Sequence, residues 1–172
     1  MSVPILLVTG PLGVGKTTVV LEIGSLLEQA NISHAVIDLD SLAWCYPQPV
    51  DDPFNNRLAF RNLAAVWANY AATGIQRLVI ARVIEARNEL KWYHLAVPDA
   101  EITIVRLRAS EATLRGRVMS REVGFGQEAA LNRAVELARL MDRAAVEHHL
   151  VETDGRAVTD ISREVLHQAQ WL

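Results

Sequence analysis

The chain has 172 residues, 51% of them hydrophobic, which is long enough to bury a substantial core and too apolar for a disordered chain. Its formal net charge of -3 argues against any general electrostatic attraction to nucleic acid or to an anionic membrane. Cys45 is the only cysteine, so no internal disulfide can form, a usage that suits a reducing compartment and an expected cytoplasmic location.

The chain opens on Ile5-Leu6-Leu7-Val8, an apolar run short enough for a buried strand, with no basic region ahead of it of the kind a secretory signal carries. Directly after it comes Gly10-Pro11-Leu12-Gly13-Val14-Gly15-Lys16-Thr17-Thr18. Gly10, Gly15, Lys16 and Thr17 fill the pattern of a glycine, four residues, then Gly-Lys-Ser/Thr. By composition alone such a match arises in well under ~1% of chains this long, so coincidence is set aside. Val19, Val20, Ile23, Leu26, Leu27 and Ala30 then recur at helical spacing, with Asn31 to end the helix. Strand, glycine loop and helix form a phosphate-binding loop. Its amides turn inward around an anion at the positive end of the helix. Lys16 reaches the outer phosphates, and the Thr17 hydroxyl is a ligand for Mg²⁺.

Ala35-Val36-Ile37 is a second strand candidate, closed by Asp38-Leu39-Asp40. Pro47, Pro49 and Pro53 keep the next stretch out of regular structure. From about residue 55 to 72 the pattern is helical, with Phe60, Leu63, Trp67 and Tyr70 on one face, and Thr73-Gly74 stops it. Leu78-Val79-Ile80-Ala81 is a third strand, running into Arg82 and Glu85, and residues 86 to 96 read as a short helix. Ile102-Thr103-Ile104-Val105 is a fourth strand, and Ser110 can cap a helix reaching about Glu122. After Gly124-Phe125-Gly126 a long amphipathic helix is expected from Glu128 to about His148. Leu150 to Thr153 reads as a fifth strand, Asp154-Gly155 as a turn, and Val158 to Trp171 as a closing helix. No repeat or linker divides this series, so one domain over residues 1–172 is expected. Strands alternating with helices imply a parallel sheet covered on both faces, with ligands beyond the C-terminal strand ends.

That rule sorts the polar residues. Asp38 and Asp40 are two apart and face the same way on extended chain. One can orient metal-bound water while the other accepts a proton from an attacking hydroxyl. The plainer alternative is a solvated turn or a helix cap. The third strand lacks the metal-binding aspartate usual in phosphate-loop proteins, which leaves Asp38 and Asp40 as the best supply of metal-directed charge. Arg117 and Arg121 lie one helical turn apart, with Arg115 nearby, and can stabilise a transferring phosphoryl group beside a movable lid. The alternative is surface arginines paired to Glu111 or Glu122. Asn55, Asn56, Arg57 and Arg61 can line an acceptor pocket with Trp44 and Tyr46, or form a solvated helix face. Cys45 reads as a small core or pocket-edge residue. His148-His149 reads as a surface pair at a helix end, and Trp171 as a docked end or an interface.

Four stretches together resemble the small phosphate-loop kinases of the nucleoside monophosphate kinase-like group, which includes shikimate, gluconate and adenylylsulfate kinases and chloramphenicol phosphotransferase. They are Gly10 to Thr18, Asp38-Leu39-Asp40, Leu114 to Arg121 and Val151 to Arg156. The resemblance implies an α/β fold with a five-stranded parallel sheet in the order 2-3-1-4-5, and it implies ATP and Mg²⁺. It suggests Lys16, Asp38, Asp40, Arg117 and Arg121 as catalytic residues, with Thr17 and Asp38 on the metal. Gly10 to Thr18, Arg117, Asp154 and Gly155 would hold the nucleotide. Asp40, Arg57, Arg61 and Arg82 would meet the acceptor, in a region spanning about residues 41–94, beneath a short lid of about residues 115–128. Within residues 41 to 94 no known subfamily is matched.

The expected function is Mg-assisted transfer of the ATP γ-phosphate to a hydroxyl of a small molecule, by a monomer or homodimer, without nucleic-acid or membrane partners. Two alternatives are a non-catalytic ATP-binding regulator and a kinase of nucleotides or nucleic-acid ends.

Overall fold

The computed structural model describes residues 2–121 and 126–172, with only the backbone of Arg121. Five parallel strands form the centre: β1 (Val3–Thr9), β2 (Ala35–Asp38), β3 (Leu78–Ala81), β4 (Ala100–Arg108) and β5 (His149–Glu152). They lie in the order β2-β3-β1-β4-β5, as the sequence predicts. Helices connect them: α1 (Lys16–Gln29), α2 (Asn56–Ala72), α3 (Leu90–Ala96), α4 (Glu111–Arg121), α5 (Gln127–Ala144) and α6 (Val158–Gln168).

Alternation along β1 builds two cores. Ile5 and Leu7 point to one face and pack with Phe60, Leu63 and Trp67 of α2 and Tyr93 of α3. Leu6 and Val8 point to the other and pack with Val19, Val20 and Ile23 of α1 and Ile161 and Val165 of α6. All four β1 residues are essentially inaccessible to water, which is why that strand reads as a continuous apolar run. No helix among the described residues is long and apolar enough to cross a membrane.

Several expectations need correcting. Helix α5 stops at Ala144, because Ala145 takes a left-handed conformation (φ 42°) and the chain turns back toward the sheet. His148-His149 is therefore not a helix end: His149 starts β5, and His148 Nδ1 accepts a hydrogen bond from Ile104 N–H at 3.0 Å. Helical periodicity carried on past the turn in the sequence, and only the sheet reveals where it breaks. Cys45 is exposed rather than in the core. The closing helix ends at Gln168, and Trp171 is docked by Arg77, whose guanidinium lies 5.6 Å from the ring centroid. The expected lid residues 122–125 fall outside the described part of the chain.

Candidate active site

The C-terminal strand ends converge on one edge of the sheet. There Gly10 follows β1 with φ 146°, and a Cβ on it would stand 2.7 Å from the Leu107 carbonyl oxygen of β4. Only glycine lets the loop pass so close to the neighbouring strand. Gly15, at φ 103°, turns the chain directly into α1. Lys16 folds back over the loop, its Nζ donating to the carbonyls of Gly10 at 3.0 Å and Pro11 at 3.1 Å. The loop rims a cavity of about 490 Å³ that also takes in Asp38, Asp40, Arg117, Arg156, Val158 and Ile161.

The two aspartates are held differently. The Thr17 hydroxyl donates to Asp38 Oδ2 at 2.6 Å, and Asp38 Oδ1 accepts from the Asp40 N–H at 3.1 Å. In the sheet register Asp38 stands opposite Ala81 of β3. The carboxylate that β3 lacks is thus supplied one strand over, beside the loop threonine. Among the described residues no three His, Cys, Asp or Glu side chains gather as a metal cage. A hydroxyl and one carboxylate at a phosphate-binding loop instead suit Mg²⁺, which keeps several waters and takes its remaining ligands from phosphates.

Asp40 turns the other way. Its Oδ1 accepts from Arg82 at 3.2 Å; the Asp40 side chain is 58% exposed and that of Arg82 only 7%. Arg82 leaves the end of β3, where its N–H donates to the Val8 carbonyl and Ile84 N–H donates to Thr9 Oγ1 at 2.9 Å. The guanidinium also donates to Asn56 Oδ1 of α2 and lies 5.7 Å from the centroid of the Phe60 ring. Tyr93 meets that ring edge-on at 4.9 Å, and burial pushes its hydroxyl well above the ordinary tyrosine value.

A second cavity of about 740 Å³ opens on this side, walled by Trp44, Phe54, Asn55, Asn56, Arg82 and Glu85 and closed by Ala129, Arg133 and Leu137 of α5. Its volume lies in the range of small-molecule sites. Asp40, Leu12, Trp44 and Val83 line both cavities, so the two meet there. The proline-rich stretch is shaped to form this wall. Asn55, in a left-handed conformation, donates to the carbonyls of Ala43 and Cys45, and the buried Asp52 carboxylate accepts from the N–H groups of Asn56 and Arg57, capping α2.

Not every candidate residue reaches a cavity. Arg57 forms a two-pronged pair with Asp51 on the surface, where each group reinforces the charge of its partner by hydrogen bonding. Arg57, the exposed Arg61 and Tyr46 do not line this second cavity. Arg115 is taken by Glu111. Arg117 does reach the loop, donating to the Val14 carbonyl at 2.9 Å and to Thr153 Oγ1 at 3.3 Å. The Arg121 side chain lies outside the described residues. Asp154 accepts from Ser110 N–H at 3.0 Å, and Ser110 holds its carboxyl below the usual aspartate range. The cavity wall near it is Arg156 and Val158 rather than Asp154 and Gly155.

Glu89 and Arg133 are charged lining residues that the sequence did not single out. Glu89 accepts from the N–H groups of Glu85 and Ala86, fixing the turn after β3. Arg133 of α5 pairs with Glu85. Its signal was present: Arg133 falls at helical spacing with Ala129, Leu137 and Met141, an arginine set in an apolar stripe.

No protein-family model and no curated protein matches this chain. Solved structures do. A gluconokinase from Sinorhizobium meliloti matches with 22% identity over 96% of this chain and 90% of that one, at a TM-score of 0.62. A tunicamycin resistance protein from Deinococcus radiodurans matches with 15% identity over 100% and 98%, at 0.69. A shikimate kinase from Acinetobacter baumannii, solved with shikimate, matches with 19% identity over 97% and 92%, at 0.60. At these identities the likeness is one of architecture, and the chain has the fold of the phosphate-loop small-molecule kinases.

Proposed function

We propose that this protein transfers the γ-phosphoryl group of ATP to a hydroxyl of a small molecule seated in the cavity of about 740 Å³. The observation that carries the reading is the junction of the two cavities at Asp40, a carboxylate anchored from behind by Arg82 and open in front. The acceptor hydroxyl oxygen attacks the γ-phosphorus, and the bond to the β–γ bridging oxygen breaks. ADP leaves with the electron pair, and the hydroxyl proton passes to Asp40. The loop amides and Lys16 would hold the polyphosphate, with Arg117 reaching the same cavity at Val14. Thr17 and Asp38 would hold Mg²⁺, which offsets the phosphate charge.

The gluconokinase and the shikimate kinase among the similar structures support phosphotransfer to small molecules as the class of reaction. The absence of an aspartate on β3, which favoured a regulator without chemistry, loses weight because Asp38 stands in the adjoining register position. The test is ADP release from Mg-ATP across a panel of sugars, hydroxy acids and hydroxylated antibiotics, with mass spectrometry of the products. A phosphorylated product is expected. ATP binding without turnover across the panel would support the non-catalytic alternative.

A further inference from the structure

We infer that Arg82 is a positioning residue, one that sets the Asp40 carboxylate at the mouth of the acceptor cavity rather than binding the acceptor itself. This rests on the phosphotransfer reading above. An arginine at a strand end beside a substrate cavity would ordinarily be read as an anion clamp, but the surroundings of Arg82 leave it little freedom for that. It is 6% exposed. One side of its guanidinium faces Asp40 and another faces Asn56, while the Phe60 ring lies beneath. Its backbone is pinned as well, by the N–H donated to Val8. Each terminal nitrogen of the guanidinium already donates to a protein partner, one to Asp40 and one to Asn56, so a shift of Arg82 toward a substrate anion would loosen the carboxylate that accepts the proton.

The chain of contacts also has a direction. Asn56 is the first residue of α2, and its own N–H is held by the buried Asp52. Asp40, Arg82, Asn56 and Asp52 therefore link the C-terminal side of β2 to the wall of the acceptor cavity. Asp40 alone is more than half exposed and has no comparable packing of its own. Its place at the junction comes through Arg82. A carboxylate freed by even about 1 Å from its reacting geometry loses on the order of 100-fold in rate.

The experiment has a crystallographic arm and a kinetic arm. Crystal structures of wild type, Arg82→Gln and Arg82→Lys are determined with ADP and Mg²⁺. We expect the Asp40 carboxylate to leave the cavity junction in Arg82→Gln and to stay in Arg82→Lys, with ADP and Asp38 unmoved in both. An Asp40 that keeps its place in Arg82→Gln overturns the inference. If Arg82→Gln does not fold, Asn56→Ala removes the second anchor and keeps the charge; the same outcomes are then read on Asp40. In the kinetic arm, with an acceptor found in the panel, Arg82→Gln lowers kcat about 100-fold and leaves KM for ATP and acceptor within about twofold. In an Asp40→Asn background the same change adds almost nothing. A raised acceptor KM with kcat kept, or full additivity, makes Arg82 an acceptor contact or a structural residue and overturns the inference. If wild type phosphorylates nothing in the panel, the phosphotransfer reading fails, and the position of Asp40 in the crystals still decides the role of Arg82.

Discussion

Single residues carry most of the chemistry, and their roles come from neighbours rather than from their own identity. Asp38 and Asp40 are indistinguishable in sequence. They part company because Thr17 engages one and Arg82 engages the other. Period-two spacing would put them on one side of an extended chain, but β2 ends at Asp38 and Asp40 takes a helical conformation, and the partners that divide the two come from positions 17 and 82 and meet only in the fold. His148 shows the same dependence. Its Nδ1 accepts the Ile104 N–H, so that nitrogen must carry no proton. Burial, with the charges of Arg87 and His149, holds its pKa below the ordinary value of 6.5. Between the lowered folded value and 6.5 the unfolded chain binds more protons than the folded one, so stability rises with pH there. The contribution is complete above about pH 6.5 and is lost as the pH falls through the folded value. In urea titrations from about pH 5 to about pH 7, the midpoint is expected to climb more steeply in wild type than in His148→Ala. Equal slopes would contradict this account of His148.

Elements explain where sequence reading succeeds and where it stops. The phosphate-binding loop was legible because its constraints are local: glycines for a tight path, a strand before and a helix after. Strands β1 and β3 were legible because burial on both faces leaves an apolar run. The start of α2 was harder. Asp52 lies in the proline-containing stretch that reads as loop, yet it is 6% exposed and its carboxylate accepts two backbone N–H groups at the head of the helix. Asp52→Ala is expected to destabilise the protein by about 1–2 kcal/mol, the range of a lost helix cap, read as a lower urea midpoint. An unchanged midpoint would show that the cap does not hold α2. The acceptor wall was the least legible part, because it is assembled from the proline-rich stretch, the end of β3 and one face of α5. No local pattern joins Trp44, Arg82 and Arg133, which meet through long-range packing.

For the whole molecule, the sheet order puts β1 and its loop centrally, with β3 and β2 on one side and β4 and β5 on the other. Two cavities open at these strand ends, and Asp40 is the carboxylate that lines both. If the donor cavity holds Mg-ATP, ligand at ~100 times its Kd stabilises the fold by about 2.7 kcal/mol. A rise in Tm is expected with Mg-ADP or Mg-ATP and is expected to vanish in Lys16→Ala; an equal rise in that variant would place nucleotide binding elsewhere. The joining of the two cavities is tested most directly by following the labelled γ-phosphoryl of ATP onto acceptor in wild type and in Asp40→Asn. Label is expected on a small-molecule hydroxyl with wild type, at a rate at least about 100-fold lower in Asp40→Asn with ATP affinity unchanged. Transfer at the wild-type rate by Asp40→Asn would contradict this role of Asp40.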